Sequence, residues 1–208
     1  MNLIFLGPPG AGKGTMAFRA KEHYNIPHIS TGDLFRAAVK NQSELGMKVK
    51  SILDAGDLVP DELTTSIVEE RLNQDDTVHG YILDGFPRTL PQAKALKKFS
   101  TIDKAVNFTV SEEEVIRRLS GRRVCPSCGE SFHIEFIPPR KEGICDKCGS
   151  ELYTRKDDQI DAIRNRLSVY ALSTEPLISF YRDEGKLVDV DSNQHPDSVF
   201  KDLIETLR

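Results

Sequence analysis

The four cysteines of the chain form two Cys-x-x-Cys pairs within one segment of 24 residues. The pairs are Cys125/Cys128 and Cys145/Cys148, with 16 residues between them, and a glycine follows each pair. This spacing lies within the range of zinc sites, and the glycines suit tight knuckles around a metal. Because four thiolates leave no open coordination position, the segment predicts a structural metal, with zinc favoured over iron.

The charge of the cysteine segment argues against a zinc ribbon that binds nucleic acid. Residues 121–155 contain six basic and five acidic side chains, a balance too close to neutral for a surface that follows a phosphate backbone. In a reducing cytosol, thiols clustered in this way are better explained as metal ligands than as disulfides. We therefore interpret the segment as a metal brace, not as a nucleic-acid reader or a redox centre.

A second chemical signal is a glycine-rich loop near the N-terminus. The stretch GPPGAGKGT fits the pattern G-x-x-x-x-G-K with Gly7, Gly12 and Lys13. Glycines let backbone N–H groups converge on phosphate oxygens, the start of a helix adds a positive dipole, and the lysine reaches the outer phosphates. The hydroxyl of this pattern comes one position late, because Gly14 occupies its usual place and Thr15 follows.

The elements around the loop are those that phosphate binding requires. The run from Asn2 to Leu6 is apolar and of strand length, and a helical pattern resumes near Thr15. Farther along, a second apolar strand ends at Asp84, an acid suited to organising Mg²⁺. Since the strand ends of an open parallel sheet face the ligand crevice, loop and acid together predict a nucleotide phosphotransferase.

The overall composition is that of an ordinary globular protein with one main domain. Its 208 residues include 28 Lys and Arg against 32 Asp and Glu, and the net charge of -4 does not favour a polyanion as the main partner. The apolar run at the N-terminus lacks the features of a signal peptide, and no apolar run reaches membrane-spanning length. We expect a soluble, cytoplasmic monomer without nucleic-acid or membrane partners.

The motifs GPPGAGKGT, STGDLFR, DGFPRT, GRR and TRKDD, in this order and spacing, resemble the adenylate kinase family over essentially the whole chain. The likeness is to the long form of that family, whose lid can carry structural zinc. It implies an α/β fold of the P-loop nucleoside monophosphate kinase type, with a five-stranded parallel sheet flanked by helices and with AMP-binding and lid inserts. The implied reaction is ATP + AMP ⇌ 2 ADP with Mg²⁺, which serves adenine nucleotide homeostasis.

The resemblance also divides the chain into a core and two inserts. The core would comprise residues 1–29, 60–120 and 159–208, the AMP-binding insert residues 30–59, and the zinc-braced lid residues 121–158. The lid would swing over ATP, exclude water and deliver arginines at its hinges, with the metal substituting for a core of its own. Asp157 and Asp158, at the end of the lid, are expected to hold the lid arginines or to form the hinge.

Residues implied for ATP lie in the glycine loop, in the lid and near the C-terminus. The phosphates would lie on Gly10, Ala11, Gly12, Lys13, Gly14 and Thr15, with Asp84 holding Mg²⁺ through water. Ser131 and Phe132 would touch the nucleoside, mostly through backbone and ring face. Gln194 would contact the adenine from the other side.

Residues implied for AMP belong to the AMP-binding insert, to the DGFPRT motif and to the segment after the cysteines. They are Thr31, Arg36, Asp57, Leu58, Val59, Gly85, Phe86, Pro87, Arg88, Gln92, Arg155 and Arg166. Thr31 would contact the adenosine, and Arg36 and Arg88 would bind the phosphate. Gln92 would read the adenine edge, since an amide pairs with a donor and an acceptor together.

Arginines at helical spacing supply the remaining positive charge. Arg118 and Arg122 are four residues apart and Arg155 and Arg166 eleven apart, so continuous helices would place each pair on one face. By resemblance, Arg118 would stack on the ATP adenine and Arg122 would bind the transferring phosphates. Phosphoryl transfer depends on positioning and on neutralising charge, so we expect no general base. The residues implied as catalytic are Lys13, Arg88, Arg122, Arg155 and Arg166.

Two other functions remain open at this point. A kinase for another nucleoside monophosphate would share the fold and mechanism, although Thr31, Gln92 and the threonine of DGFPRT favour adenine. A P-loop ATPase with a nucleic-acid-binding ribbon is a rival from another class, and the near-neutral charge of the segment argues against it. The five histidines show no ligand pattern, and we expect them at the surface or as caps.

Overall fold

The computed structural model describes all residues from Met1 to Arg208. The strands are β1 (Asn2–Leu6), β2 (His28–Ser30), β3 (Tyr81–Asp84), β4 (Lys104–Thr109), β5 (Arg122–Val124), β6 (Ser131–His133) and β7 (Leu187–Asp191). The helices are α1 (Lys13–Tyr24), α2 (Thr31–Lys40), α3 (Glu44–Ala55), α4 (Asp61–Leu72), α5 (Leu90–Phe99), α6 (Glu112–Ser120), α7 (Ile160–Val169), α8 (Pro176–Asp183) and α9 (Pro196–Thr206). None of these helices is long and apolar enough to cross a membrane.

Five strands form one parallel sheet in the order β2-β3-β1-β4-β7, which confirms the predicted α/β fold. Strand β1 shows why the sheet is covered by helices on both faces. Leu3 and Phe5 belong to one buried cluster, whereas Ile4 and Leu6 belong to another. Side chains alternate between the faces of a strand, so a continuous apolar run requires apolar cover on both sides.

The register of the sheet brings the phosphate loop and the strand-end acid together. Phe5 is the partner of Asp84 across β1 and β3, and Ser30 is its partner across β2 and β3. Parallel strands end at a common edge, so Asp84 lies beside the point where Gly7 leaves β1. This edge is the crevice that the sequence predicted.

Side-chain caps set the start of several helices. Ser30, Ser43, Thr89 and Ser111 each accept a hydrogen bond from the backbone N–H three residues later. Such caps satisfy N–H groups that have no partner within the helix. The cap at Ser30 starts α2 directly after the last residue of β2.

Two small apolar clusters lie outside the main core. One, on helices α2 and α3 and the following loop, contains Phe35, Val49 and Val59. The other, in the cysteine segment, contains Phe132 with Cys125 and Cys145. They fall within residues 30–59 and 121–158, the ranges of the predicted inserts.

Both predictions of arginines on one continuous helix are wrong. Helix α6 ends at Ser120, and Arg122 lies on β5, because Gly121 closely approaches the ring of His133 across the β5–β6 pair. A 3-10 turn over Lys156–Asp158 and extended backbone at Gln159 separate Arg155 from α7. Strand pairing places Arg122 outside α6, and the 3-10 turn places Arg155 before the start of α7.

Candidate active site

The glycine loop wraps the start of helix α1 as its sequence predicts. Gly10 and Gly12 have φ angles of 80° and 87°, in the left-handed region that glycine favours. Gly12 is the residue before α1, and the ammonium of Lys13 donates to the carbonyls of Gly7 at 2.7 Å and Pro8 at 2.8 Å. The helix start and the lysine together give this loop the positive charge and N–H donors that suit an anion.

Ser192 supports the loop from the far end of the chain. Its side chain is buried, and its hydroxyl donates to the carbonyl of Ala11 at 2.5 Å. The sequence reasoning missed this residue. Its position directly after β7, at the same edge of the sheet as Asp84, is the signal that could have found it.

Lys13, Asp84 and His28 lie together at the crevice edge. Burial lowers the pKa of Lys13 to about 8, and although Asp84 opposes this shift, Arg88 and other arginines add to it. Burial would raise the pKa of Asp84, but the hydrogen bond with His28 and the charge of Lys13 outweigh it and hold that pKa below its usual value. Asp84 is thus held as a carboxylate.

His28 was expected to be a surface or capping residue, and this expectation is wrong. Its Nε2 lies 3.3 Å from Oδ2 of Asp84, and only 15% of its side chain is exposed. His133 is buried, but it caps the following turn as expected, since its Nδ1 accepts from the backbone N–H groups of Glu135 and Phe136. The contact between His28 and Asp84 spans 56 residues and has no local sequence signal.

A cavity of about 1000 Å³ extends from the glycine loop to the lid. Eight arginines line it, namely Arg19, Arg36, Arg88, Arg117, Arg118, Arg122, Arg155 and Arg166. Lys13 and Asp84 border the same cavity, so every residue implied as catalytic faces one space. The sequence predicted this convergence, although it placed the arginines on the wrong elements.

Asp158 organises two of the arginines. Its carboxylate accepts from Nε and Nη2 of Arg122 at 2.8 and 2.5 Å, and from Nη1 of Arg166 at 3.2 Å. The side chain of Asp158 is 0% exposed, so this pairing takes place away from solvent. Asp157 adds a second carboxylate 3.1 Å from Arg166.

Burial is the main cause of the low pKa values of two of these arginines. Burial, followed by the charges of neighbouring arginines, lowers the pKa of Arg155 to about 10. Burial also lowers the pKa of Arg166 to about 10, against the opposing effect of Asp157. The Nε of Arg155 is buried and has no hydrogen-bond partner. A buried cation with an unused donor is matched to an anionic ligand.

A small cavity of about 60 Å³ adjoins the arginines on the side of α2 and α3. Its lining includes most residues predicted for AMP, namely Thr31, Arg36, Asp57, Leu58, Val59, Gly85, Arg88, Gln92 and Arg166. Thr31 donates its hydroxyl to the carbonyl of Gly85 at 2.8 Å. Pro87 and Arg155 border the large cavity instead. Phe86 borders neither, because its side chain is 1% exposed in the core.

Residues predicted for the ATP nucleoside surround the outer part of the large cavity. Arg118, Ser131, Phe132 and Gln194 all line it. Arg118 is fixed by Glu114 at 2.8 Å and by the carbonyl of Ser192 at 2.7 Å. Phe132 is 7% exposed, which leaves little of its ring face for a ligand. Phe136 and Ile137 line the same region and were missed by sequence reasoning.

The four cysteines meet at one point, as their spacing predicts. All four sulfur atoms lie within 4.8 Å of one another, and Cys128 Sγ lies 3.6 Å from both Cys145 Sγ and Cys148 Sγ. Sulfur ligands at about 2.3 Å in a tetrahedron around zinc would be about 3.8 Å apart. The donor set and its spacing therefore fit a single metal ion.

Mg²⁺ requires oxygen ligands, and the crevice edge offers them. The carboxylate of Asp84 lies beside Gly14, since a Cβ atom added to Gly14 would be 3.5 Å from Oδ2 of Asp84. Thr15 is the next residue and is exposed at the start of α1. Asp84 and Thr15 are hard oxygen donors of the kind that Mg²⁺ selects. The residues present fit this ion.

Comparison with known proteins gives consistent results. A family model described as adenylate kinase matches residues 5–186. An adenylate kinase of Treponema denticola is 58% identical over 199 residues, covering 96% of this chain and 95% of that protein. The adenylate kinase of Oceanobacillus iheyensis is 51% identical, covering 98% and 97%, and that of Bacillus licheniformis is 49% identical, covering 100% and 98%. The range matched by the family model contains both cavities' arginines and the four cysteines, but not Ser192 or Gln194.

Proposed function

Because this chain belongs to the adenylate kinase family and is a phosphotransferase acting on nucleoside monophosphates, we propose that its cleft carries out ATP + AMP ⇌ 2 ADP with the residues described above. One observation carries this assignment of roles. Lys13, Asp84 and eight arginines border two cavities that share Arg36, Arg88 and Arg166 in their linings. A polyanion held between two nucleosides is the ligand that such a charge distribution fits.

ATP and AMP would occupy opposite ends of the cleft. The glycine loop, from Gly10 to Thr15, would hold the ATP phosphates, and Arg118 with the outer cavity would hold the nucleoside. AMP would enter the small cavity, with its base toward Gln92 and its phosphate toward Arg36 and Arg88. This arrangement supports the division into a core, an AMP-binding insert over residues 30–59 and a lid over residues 121–158.

Transfer would proceed by positioning and charge neutralisation. Lys13 and Arg122 would bind the transferred phosphoryl group from two sides, and Arg88 would hold the attacking AMP phosphate in line with it. Arg155 and Arg166 would neutralise charge on the oxygens between the nucleotides. AMP attacks through an oxygen that is already ionised, so no side chain has to remove a proton.

Asp84 and Thr15 would hold Mg²⁺, in the case of Asp84 through water. When bound, the ion neutralises phosphate charge and orients the phosphates of ATP. His28 would keep the Asp84 carboxylate in place through the contact at 3.3 Å.

The cysteine cluster would hold zinc as a structural brace. Its four ligands would leave no position for a substrate. The segment has only a three-residue buried cluster, two members of which are the ligands Cys125 and Cys145. A unit with so small a core needs another source of stability, which the metal supplies.

We also propose that the protein acts as a monomer in the cytoplasm. The cleft is complete within one chain, since every residue assigned to it comes from these 208 residues. Four thiols held as metal ligands suit a reducing compartment.

A coupled assay of ADP formation tests the proposal. Activity should require ATP, AMP and Mg²⁺ together, and AMP should be preferred to GMP, CMP and UMP. Equal activity with another monophosphate would point to a different acceptor, and hydrolysis of ATP that is stimulated by nucleic acid without any need for AMP would contradict the proposal.

A further inference from the structure

Both ends of the side-chain amide of Gln92 are held by protein groups. The residue is 2% exposed, its Oε1 accepts from the backbone N–H of Arg88 at 2.7 Å, and its Nε2 donates to Oδ1 of Asp61 at 2.7 Å. Thr89 fixes the other carboxylate oxygen, since its hydroxyl donates to Oδ2 of Asp61 at 2.9 Å. The same hydroxyl accepts from the backbone N–H of Gln92 at 3.2 Å.

These contacts determine which way round the amide lies. A carboxylate accepts and a backbone N–H donates, so the NH₂ group must face Asp61 and the carbonyl must face Arg88. A half-turn of the amide would set two oxygens against each other and two N–H groups against each other. Each mismatch would leave a buried polar group without a partner, which is costly. The flipped amide is therefore excluded on chemical grounds.

An amide held in one orientation distinguishes bases that a freely flipping amide would accept equally. Each amide atom of Gln92 uses one of its two hydrogen-bonding positions, which leaves one N–H and one lone pair for a ligand. Adenine presents a donor at N6 beside an acceptor at N1, and guanine presents an acceptor at O6 beside a donor at N1. The two patterns are reversed, so the orientation of the amide decides which base is matched.

We propose that Asp61 is a specificity-determining positioning residue, which makes the acceptor site select adenine over guanine by holding the amide of Gln92 in one orientation. This inference rests on the proposed AMP site, in which Gln92 faces the base. Gln92 borders the small cavity, whereas Asp61 borders neither cavity. Asp61 therefore acts through Gln92 and not by touching the nucleotide.

The substitution Asp61→Asn tests the proposal with little change of shape. Asparagine can turn either its oxygen or its NH₂ group toward Gln92, so this contact no longer distinguishes the two orientations of the amide. Only the backbone N–H of Arg88 then still favours the original one. With ATP saturating, we expect the ratio of kcat/KM for AMP to that for GMP to fall about tenfold or more, partly through a gain with GMP. The KM for ATP should stay within about twofold of the wild-type value, because Asp61 is remote from the glycine loop.

Glu62→Gln is the matched control. Glu62 is the next residue of α4, is exposed and makes no side-chain hydrogen bond or ion pair, so the substitution removes the same charge without touching Gln92. Its ratio of AMP to GMP should equal that of the wild type. Thermal melting of both variants establishes that each is folded at the assay temperature.

Two results overturn the role of Asp61. One is an unchanged ratio in Asp61→Asn, and the other is an equal loss with AMP and GMP, which marks a residue of purely structural importance. Gln92→Leu separates this failure from failure of the AMP site itself. If Gln92→Leu leaves the KM for AMP unchanged, the base does not lie at Gln92 and both proposals fall. If that KM rises but Asp61→Asn keeps the wild-type ratio, only the role of Asp61 is lost.

Discussion

At the scale of single residues, Lys13 carries a positive charge that the proposed phosphate binding needs, but its burial disfavours that charge. Burial lowers its pKa from 10.5 to about 8. Above pH 8 the free enzyme therefore loses the charge that would bind the ATP phosphates. We expect kcat/KM for ATP to fall as the pH rises through about 8, which a pH profile of that parameter measures, because it reports groups of the free enzyme.

The same shift predicts a gain in stability when the charge is removed. Between pH 8 and 10.5 the unfolded chain binds more protons at Lys13 than the folded chain. The buried charge of Lys13 therefore destabilises the folded protein fully below pH 8, and this destabilisation disappears as the pH rises toward 10.5. Lys13→Met should raise the free energy of unfolding at pH 7 by about 1–3 kcal/mol while abolishing turnover. Lys21→Met, at an exposed site of the same helix, serves as the control, and a Lys13→Met protein less stable than wild type would contradict the expectation.

The carboxylate of Asp158 positions the guanidinium groups of Arg122 and Arg166. Asp158→Asn keeps the shape but weakens the hold on Arg122 and Arg166. We expect kcat to fall by about tenfold to a hundredfold, since the guanidinium groups would no longer be fixed for transfer. Steady-state kinetics measure this, and Asp161→Asn, at a side chain 95% exposed, is the control. Turnover at the wild-type level would refute the positioning role.

At the scale of elements, the cysteine segment is stabilised differently from the rest of the chain. The main core has two clusters of 13 buried residues, but the segment has a cluster of three. Chelation, or Cys128→Ser, should therefore lower the melting temperature by several degrees or more, while the protein that remains folded keeps its turnover. Calorimetry and the coupled assay at a low temperature measure the two effects.

Glu142→Gln provides a control within the same segment, because Glu142 is exposed and makes no side-chain hydrogen bond or ion pair. This substitution should change neither the melting temperature nor the turnover. Immediate loss of turnover in folded, metal-free protein, without recovery on addition of Mg²⁺, would show that the metal does more than brace the segment.

At the scale of the whole molecule, direct contacts join the two predicted inserts across the cleft. Lys40, at the end of α2, donates to the carbonyl of Pro126 between two metal-ligand candidates at 2.8 Å. Lys156, in the turn before α7, lies 3.1 Å from Asp54 of α3. Since these contacts exist only when the inserts are close, they favour the closed arrangement of the cleft.

Lys40→Met should therefore weaken closure without altering the chemistry. We expect the KM for both nucleotides to rise by about twofold to fivefold, because an exposed hydrogen bond from a charged group contributes modestly. The value of kcat should stay within about twofold of wild type. Lys48→Met is the control, since Lys48 pairs with Glu44 on the same helix. A KM that rises for only one nucleotide would indicate a local effect instead of closure.

The sequence by itself determined the parts of the protein whose chemistry is local. The phosphate loop, the strand ending at Asp84 and the two cysteine pairs each consist of a few neighbouring residues, and their spacing limits them to few structures. The five-stranded parallel sheet was implied by the family resemblance, and an apolar run such as Asn2–Leu6 fits it because such a strand needs cover on both faces. The resemblance also implied the two inserts, which stay a prediction, whereas the sheet order and the family match agree with the fold that it implied.

The tertiary structure decided which side chains orient those parts. Gln92 meets Asp61 across 31 residues, Arg122 meets Asp158 across 36, His28 meets Asp84 across 56, and Ser192 meets Ala11 across 181. Such pairs depend on strand register and helix docking, which no local pattern encodes. Long-range packing likewise ended α6 before Arg122, and α7 begins only after Arg155, at Ile160. Local spacing thus specifies what chemistry is available, and long-range packing specifies the orientation in which it is held.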